Sequence, residues 1–440
     1  EILSSFPVTP LWCRRCAERQ DWSRIWLSIF WLMQTLSCIG VIEAPLARGE
    51  TRFIPSLGFS ERYDSNVFIS PPGSTPPGKK PWDMATSVIP GIQIVDKDRV
   101  VETNLIASAN GTAFVNNPEL DFVSTQVTGI IKLDGLVGQL LPGLKLQVSD
   151  SFLYTPESPS FVTAGTPAPN ENPFARGIQP VRADTYSNTA SVSASYPLSK
   201  SLGVKGTYAY SLFRVGQIYV EQSPDVPVIF FNTDFQTLSI GPTYRLARGD
   251  TLGINYNWVT ATFTDVSANV SSENINETIT AHGVEAQYST GGLHWGAYAS
   301  GGTTIVEREG AAFLSGKVAL SGTIDPATRF SVDVSRQLAP AFFGTAGVLI
   351  STAAGVTIER RLADSLSLSG SANYAINKGT GANVLRFESY GGSMLLNYNF
   401  SQSTTASLSY QYTHFEVSSP GFETMVNRSM AMLSLTSKWK

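Results

Sequence analysis

The sequence predicts an all-β fold: a single closed antiparallel transmembrane barrel of about 18 strands, with short periplasmic turns and long extracellular loops. Three observations predict it. First, β-hairpins recur through most of the chain. In Thr185–Phe213, Ala190, Val192, Ala194 and Tyr196 alternate with Ser191, Ser193 and Ser195; the pattern resumes after Pro197–Lys200 with Leu202, Val204, Tyr208 and Tyr210. Successive strand side chains point to opposite faces, so each run has one apolar and one small, polar face. Second, charged residues are only 15% of 440, low for a soluble domain but natural for a barrel that is apolar outside and small-polar inside. Third, the connections alternate between long and short.

Taken in order, the chain begins with an address label. Arg14, Arg15, Arg19 and Arg24 precede an uncharged run over 25–42, and Ala47-Arg48-Gly49 offers small residues for cleavage. This pattern predicts a secretory leader over 1–49 and a barrel over 50–440. An inner-membrane anchor is the competing reading, because the run could just span a bilayer. The alternating strands that follow at once favour the leader. Cys13, Cys16 and Cys38 all fall in this segment, so no disulfide framework supports the barrel region, and one Cys-x-x-Cys pair without a second carries no metal signature.

The first strand, 52–68, puts Phe53, Leu57, Phe59, Tyr63 and Val67 on one face and Arg62, Asp64 and Asn66 on the other. Its run from Pro55-Ser56 to Tyr63-Asp64-Ser65-Asn66-Val67-Phe68 resembles outer-membrane β-barrel porins, including those associated with exosortase (PEP-CTERM) and exopolysaccharide systems. The resemblance implies an outer-membrane location, a link to surface polysaccharide, and a place near the outer rim for Asp64 and Asn66.

Long, Pro- or Gly-rich connections fall near 69–83, 112–119, 156–184, 215–232, 264–277, 303–310, 339–346, 377–384 and 414–423. Short ones fall near 96–98, 133–143, 197–201, 246–250, 289–292, 323–327, 361–364 and 400–403. Together they join eighteen strands, an even number as single-chain bacterial barrels require; sixteen also fits. Tyr196, Tyr244, Tyr288 and Tyr398 end strands before short turns, while Tyr208, Tyr210, Tyr256, Trp258, Tyr374, Tyr410 and Tyr412 lie further along the apolar face. Two aromatic levels bracketing an aliphatic band match the interfacial girdles of a membrane barrel. The last strand places Ala431, Leu433, Leu435 and Trp439 on one face, resembling the tail read by barrel assembly machinery, although Lys440 follows the final aromatic. Asp150 and Arg336 fall on apolar faces. A charge facing hydrocarbon is costly, so both are expected at the outer rim.

Alternation places Arg62, Asp64, Glu102, Asn104, Lys145, Lys205, Arg245, Glu285, His294, Lys317, Asp333, Glu359 and Asn397 in the lumen. Their signs are mixed, so no single-sign selectivity ring emerges. The longest connection, 156–184, carries six prolines that oppose strand pairing, and apolar anchors including Phe174. It is expected either to narrow the mouth, with Arg176 and Arg182 reaching Asp64 or Glu285, or to lie as a surface flap. His282 and His414 fall on the lipid-facing side near strand ends, without a serine in a catalytic spacing. No phosphate loop, metal cluster or cofactor motif is present, and a net charge of −4 gives no nucleic-acid footprint. These residues favour a porin-like channel for small solutes or one linked to polysaccharide export, embedded in outer-membrane lipid and lipopolysaccharide. The alternative is a structural or assembly barrel with a closed lumen, and a barrel hydrolase is a distant third.

Overall fold

The computed structural model divides the chain into Glu1–Gly49 and Glu50–Lys440. It describes residues 50–156, 183–218, 231–246, 249–265, 276–292, 294–307, 310–341, 347–379, 386–419 and 422–439. The leader expected over 1–49 lies outside the described residues. So does most of the 156–184 connection, with Phe174, Arg176 and Arg182.

Eighteen strands follow one another: β1 (Glu50–Asp64), β2 (Asp83–Lys97), β3 (Glu102–Phe114), β4 (Phe122–Lys132), β5 (Lys145–Thr155), β6 (Ala183–Pro197), β7 (Leu202–Ile218), β8 (Phe231–Arg245) and β9 (Thr251–Asp265), then β10 (Asn276–Gly291), β11 (Trp295–Val306), β12 (Ala311–Asp325), β13 (Thr328–Ala341), β14 (Gly347–Ala363), β15 (Leu366–Gly379), β16 (Arg386–Asn399), β17 (Thr404–Ser419) and β18 (Phe422–Lys438). Each pairs antiparallel with its sequence neighbours, and β1 also pairs with β18, from Ser56↔Lys438 to Asp64↔Met430. Closure leaves no strand edge, which hydrocarbon could not satisfy.

The alternation read from the sequence sets the two faces. Leu57, Phe59, Tyr208, Ile240, Tyr256, Val318 and Leu433 stand exposed on the outside. Inside, small hydroxyl side chains meet across strands: Ser149 and Ser191 at 2.7 Å, Thr189 and Ser211 at 2.9 Å, and Ser371 and Ser393 at 2.7 Å. Such cross-strand pairs fix the register on the polar face. The ladders bend at three register shifts, within Ala183–Thr185, Thr323–Asp325 and Arg361–Ala363. The β2–β3 pairing skips Ile89 and Pro90, and proline has no N–H to give.

The β4–β5 connection, expected as a plain turn, holds a short helix, α1 (Asp134–Leu140). Asp134 accepts a bond from the Leu146 backbone N–H at 2.9 Å, and the Leu136 N–H donates to Val100 O at 3.1 Å. The fit against the β2–β3 turn is so close that a Cβ on Gly135 would lie 2.0 Å from Arg99 O.

Candidate functional site: the barrel lumen

The pairing places the sequence-predicted residues Arg62, Asp64, Glu102, Lys145, Lys205, Arg245, Glu285, Lys317, Asp333 and Glu359 on the inward face. His294 departs from expectation. It sits in the short turn before β11, outside the ladder, where its backbone carbonyl accepts from the Thr323 N–H at 2.7 Å. The register that would have carried it to the wall ends one residue later, at Trp295.

These inward residues occupy two zones. Toward the short-turn end the wall is polar and open: Glu102, Lys145, Lys205, Arg245 and Glu359 are exposed. Glu102 is matched by Lys132 at 3.0 Å, a partner that alternation alone did not single out. Glu285 accepts from Asn257 Nδ2 at 3.3 Å. Toward the long-connection end the inward face turns apolar. Phe213, Phe235, Phe263, Ile279, Val306, Phe313, Phe387, Phe415 and Val426 are buried in one cluster there. Cα atoms of β8 come within 8 Å of β13, and those of β9 and β10 within 8 Å of β14, so walls four or five strands apart around the ring draw together.

The first connection, 65–82, enters this closed end at the seam between β1 and β18. Asp64, fully buried, receives Arg428 Nε on both carboxylate oxygens at 3.1 Å and Arg428 Nη2 on Oδ2. The Asn66 backbone N–H also donates to Asp64, at 3.0 Å. Asn66 Nδ2 ties the turn to Ser70 O at 2.8 Å and across the seam to Asn427 O at 3.1 Å. Ser65 and Ser429 exchange bonds at 3.0 and 2.8 Å. So held, Val67, Phe68 and Ile69 turn inward and are buried, and Ile69 joins the apolar cluster. Ile69 adopts φ of 54°, a conformation that β-branched residues avoid and that only a firmly packed setting maintains. The Tyr63–Phe68 motif thus has a physical role: it locks the seam and carries apolar residues into the mouth.

Asp83, opposite Asp64 in the β1–β2 register, is satisfied separately. Backbone N–H groups of Asn116 and Asn117 donate to it at 2.9 Å, as do both side-chain amides. It binds the second connection to the rim. Arg428, Asp83 and the inward phenylalanines were missed by the sequence reading. Their signal was present in stretches such as Ser211-Leu212-Phe213, where both faces become apolar beside a long connection.

Asp150 also departs from expectation. The β5–β6 register is unbroken around it, and it lies opposite Ala190, between Tyr186 and Tyr196 on β6. It faces outward at mid-height, not at the rim, and accepts from Asn188 Nδ2 at 2.8 Å. Arg336 also faces outward, its Nε donating to Leu314 O at 3.1 Å.

The histidines lie outside. His414 Nδ1 is 2.6 Å from Asn427 Oδ1, and its ring stacks on Tyr390 at 4.5 Å. His282 lies between Tyr256, at 2.5 Å, and Glu307, at 2.8 Å. Among the described residues no serine hydroxyl bonds to either ring, and no group of three or more His, Cys, Asp or Glu could hold a metal.

No protein-family model matches the chain, and no curated protein matches it. Solved structures similar to it include the siderophore receptor PirA from Pseudomonas aeruginosa, at 10% identity over 89% of this chain and 81% of that one, with a TM-score of 0.44. OccK1 (OpdK) from the same organism has 11% identity over 88% and 99%, with a TM-score of 0.40. OccK2 (OpdF), also from that organism, has 11% identity over 88% and 98%, with a TM-score of 0.43. These likenesses are distant, and the chain's own features carry more weight. A closed 18-strand antiparallel barrel, apolar and girdled by aromatics outside and hydroxyl-lined within, is a barrel of the bacterial outer membrane.

Proposed function

We propose that the chain is a porin-like channel for small solutes whose outer mouth is closed at rest. The observation that carries this reading is the two-zone lumen. Eighteen strands enclose enough space for an aqueous passage, and the inner zone is polar and exposed as a solvated path requires. The outer zone is apolar and pinched, and a hydrophobic constriction stops ions by expelling water. The channel is non-enzymatic, embedded in outer-membrane lipid and lipopolysaccharide, and delivered by barrel assembly machinery that reads the alternating face from Ala431 to Trp439. A link to surface polysaccharide rests on the Tyr63–Phe68 resemblance alone.

The pinched mouth also favours a second reading, a structural barrel that never conducts. Planar-bilayer recording separates the two. The channel reading expects little current from the unaltered protein and clear steps from Phe235→Ser/Phe263→Ser, which wets the constriction. Absence of current from both proteins, with the barrel folded, would leave the structural reading.

A further inference from the structure

We infer that the lumen selects anions, and that solutes bearing a carboxylate or phosphate group dock on Lys145, Ser195 and Lys205; the transport half of this rests on the channel reading above. The strand register carries the argument, because it completes the inward set. Below the apolar zone it adds six cations, Arg52, Lys97, Lys132, Arg329, Arg361 and Lys438, and no acid among the described side chains. With Lys145, Lys205, Arg245 and Lys317 the cations number ten, against four acids, Glu102, Glu285, Asp333 and Glu359. This part of the wall is therefore strongly positive, although the chain as a whole has a net charge of −4.

The positive charge is not spread evenly. Lys132 lies 3.0 Å from Glu102, and Arg329 lies opposite Glu359, so those strands balance much of their own charge. From β5 to β8 there is no such balance. Lys145 and Lys205 both lie opposite Ser195, one on each side of it. At the usual strand spacing their Cα atoms stand about 10 Å apart. Arg245 follows at the short-turn end of β8. All three cations are exposed. Among the described residues none of them makes an ion pair, and β5–β8 carry no inward carboxylate below the apolar zone. Asp134, in the connection before β5, is turned to the Leu146 backbone N–H instead. Ser193 and Thr207, with hydroxyls 3.1 Å apart, continue the polar wall above Ser195.

Two ammonium groups flanking a hydroxyl form a donor set for an oxyanion, which can accept from both lysines and from Ser195 Oγ. A lysine head is a mobile point charge without the fixed fork of arginine, so the site suits a class of small anions and not one shape. The surroundings strengthen it. A cleft lined by one sign of charge and walled by low dielectric focuses its field and gathers counter-ions. Here the wall is backed by hydrocarbon. The apolar pinch above holds back ions of either sign by expelling water, so discrimination by charge falls to this lower wall.

The test reads the sign of that field. With Cys13, Cys16 and Cys38 replaced by serine, Ser195→Cys leaves a single thiol in the chain. The folded barrel in detergent is treated with sulfonatoethyl (anionic) or trimethylammonioethyl (cationic) methanethiosulfonate, and the ratio of rates is compared with that for free cysteine. At low salt the anionic reagent should be favoured about tenfold. The preference should fade in 1 M salt, where charges are screened within about 3 Å. It should fall close to unity in Lys145→Gln/Lys205→Gln. Inorganic phosphate should slow the anionic reagent more than chloride does at equal ionic strength. Heat-shifted mobility confirms that each variant barrel is folded. A preference at or below unity, one that survives both lysine replacements, or equal slowing by phosphate and chloride would overturn the proposal. A second measurement places Phe235→Ser/Phe263→Ser in a planar bilayer under a KCl gradient. Its reversal potential should show chloride passing in preference to potassium, and Lys145→Glu/Lys205→Glu should invert that preference. A potassium preference before the lysines are changed would also overturn the proposal. Absence of current would count against the channel reading alone, while the thiol rates still decide whether the wall gathers anions.

Discussion

Replacing Arg428 by methionine tests the seam most directly. The substitution preserves much of the side-chain stem but removes the guanidinium, and with it three hydrogen bonds to Asp64. Asp64 has no exposure to water and keeps the single bond from the Asn66 N–H. Breaking one member of a buried ion pair strands the other charge, at a cost of about 3–5 kcal/mol. An exposed pair would cost less than about 1 kcal/mol. Urea unfolding of the barrel in lipid vesicles, followed by tryptophan emission, measures the difference. The double replacement Asp64→Leu/Arg428→Met should recover most of the loss, because no charge is then left unpaired. A single substitution costing under about 1 kcal/mol, or a double one as damaging as the single, would refute the assignment of a buried, energetically coupled pair.

Other outcomes follow from the same structure. Phe263→Ala should destabilise the barrel by about 3–5 kcal/mol, since it empties a fully buried site in the apolar cluster; a loss near zero would mean the outer lumen is hydrated. Gly135→Val should disturb α1, because a Cβ there would overlap Arg99 O; a cost of about 1–3 kcal/mol in the same unfolding assay is expected. Burial draws the Glu119 carboxyl upward, but the hydrogen bond from Lys79 at 2.7 Å, a backbone hydrogen bond and the Lys79 charge together outweigh it and leave the group below its ordinary value. A folded value below the unfolded one means the contribution is present above the unfolded pKa and lost as pH falls through the folded one. Glu119→Gln should therefore remove a small acid-side dependence from the stability curve, of at most about 1 kcal/mol for so exposed a pair. Mass spectrometry of the membrane-extracted protein should find its N-terminus near Glu50; a start at or before Arg24 would mean that an anchor is retained.

The barrel was legible because its strands repeat a period of two over 11 to 17 residues with lipid outside. One apolar face and one polar face, with alternating long and short connections, then suffice to give the closed antiparallel fold and the strand count. The failures have a common cause. Alternation assumes that every inward position meets water, and it breaks where the outer lumen becomes a packed interior. There Phe213 and Phe263 face inward although they are apolar. Asp150 fails conversely, facing out although it is charged. The partners of Asp64 were hidden for another reason: Arg428 lies 364 residues away, and only ring closure brings the two together.

That separation bears on how the chain comes to be a barrel at all. The first strand has β2 as a near neighbour in sequence, but its other partner is β18, the strand most distant from it in sequence. Until β18 arrives, the outward-reaching N–H and C=O groups of Ser56–Asp64 have nothing to bond. The Trp439 N–H that reaches Pro55 O, at 3.0 Å, comes just after β18. So long a loop is slow to close by chance. Every earlier intermediate is an open ribbon with two adhesive margins. Completion of the seam is thus the event that turns a species prone to stick to its neighbours into one that can sit in lipid, and truncation by even a few C-terminal residues should act on assembly well before it acts on anything the finished lumen does.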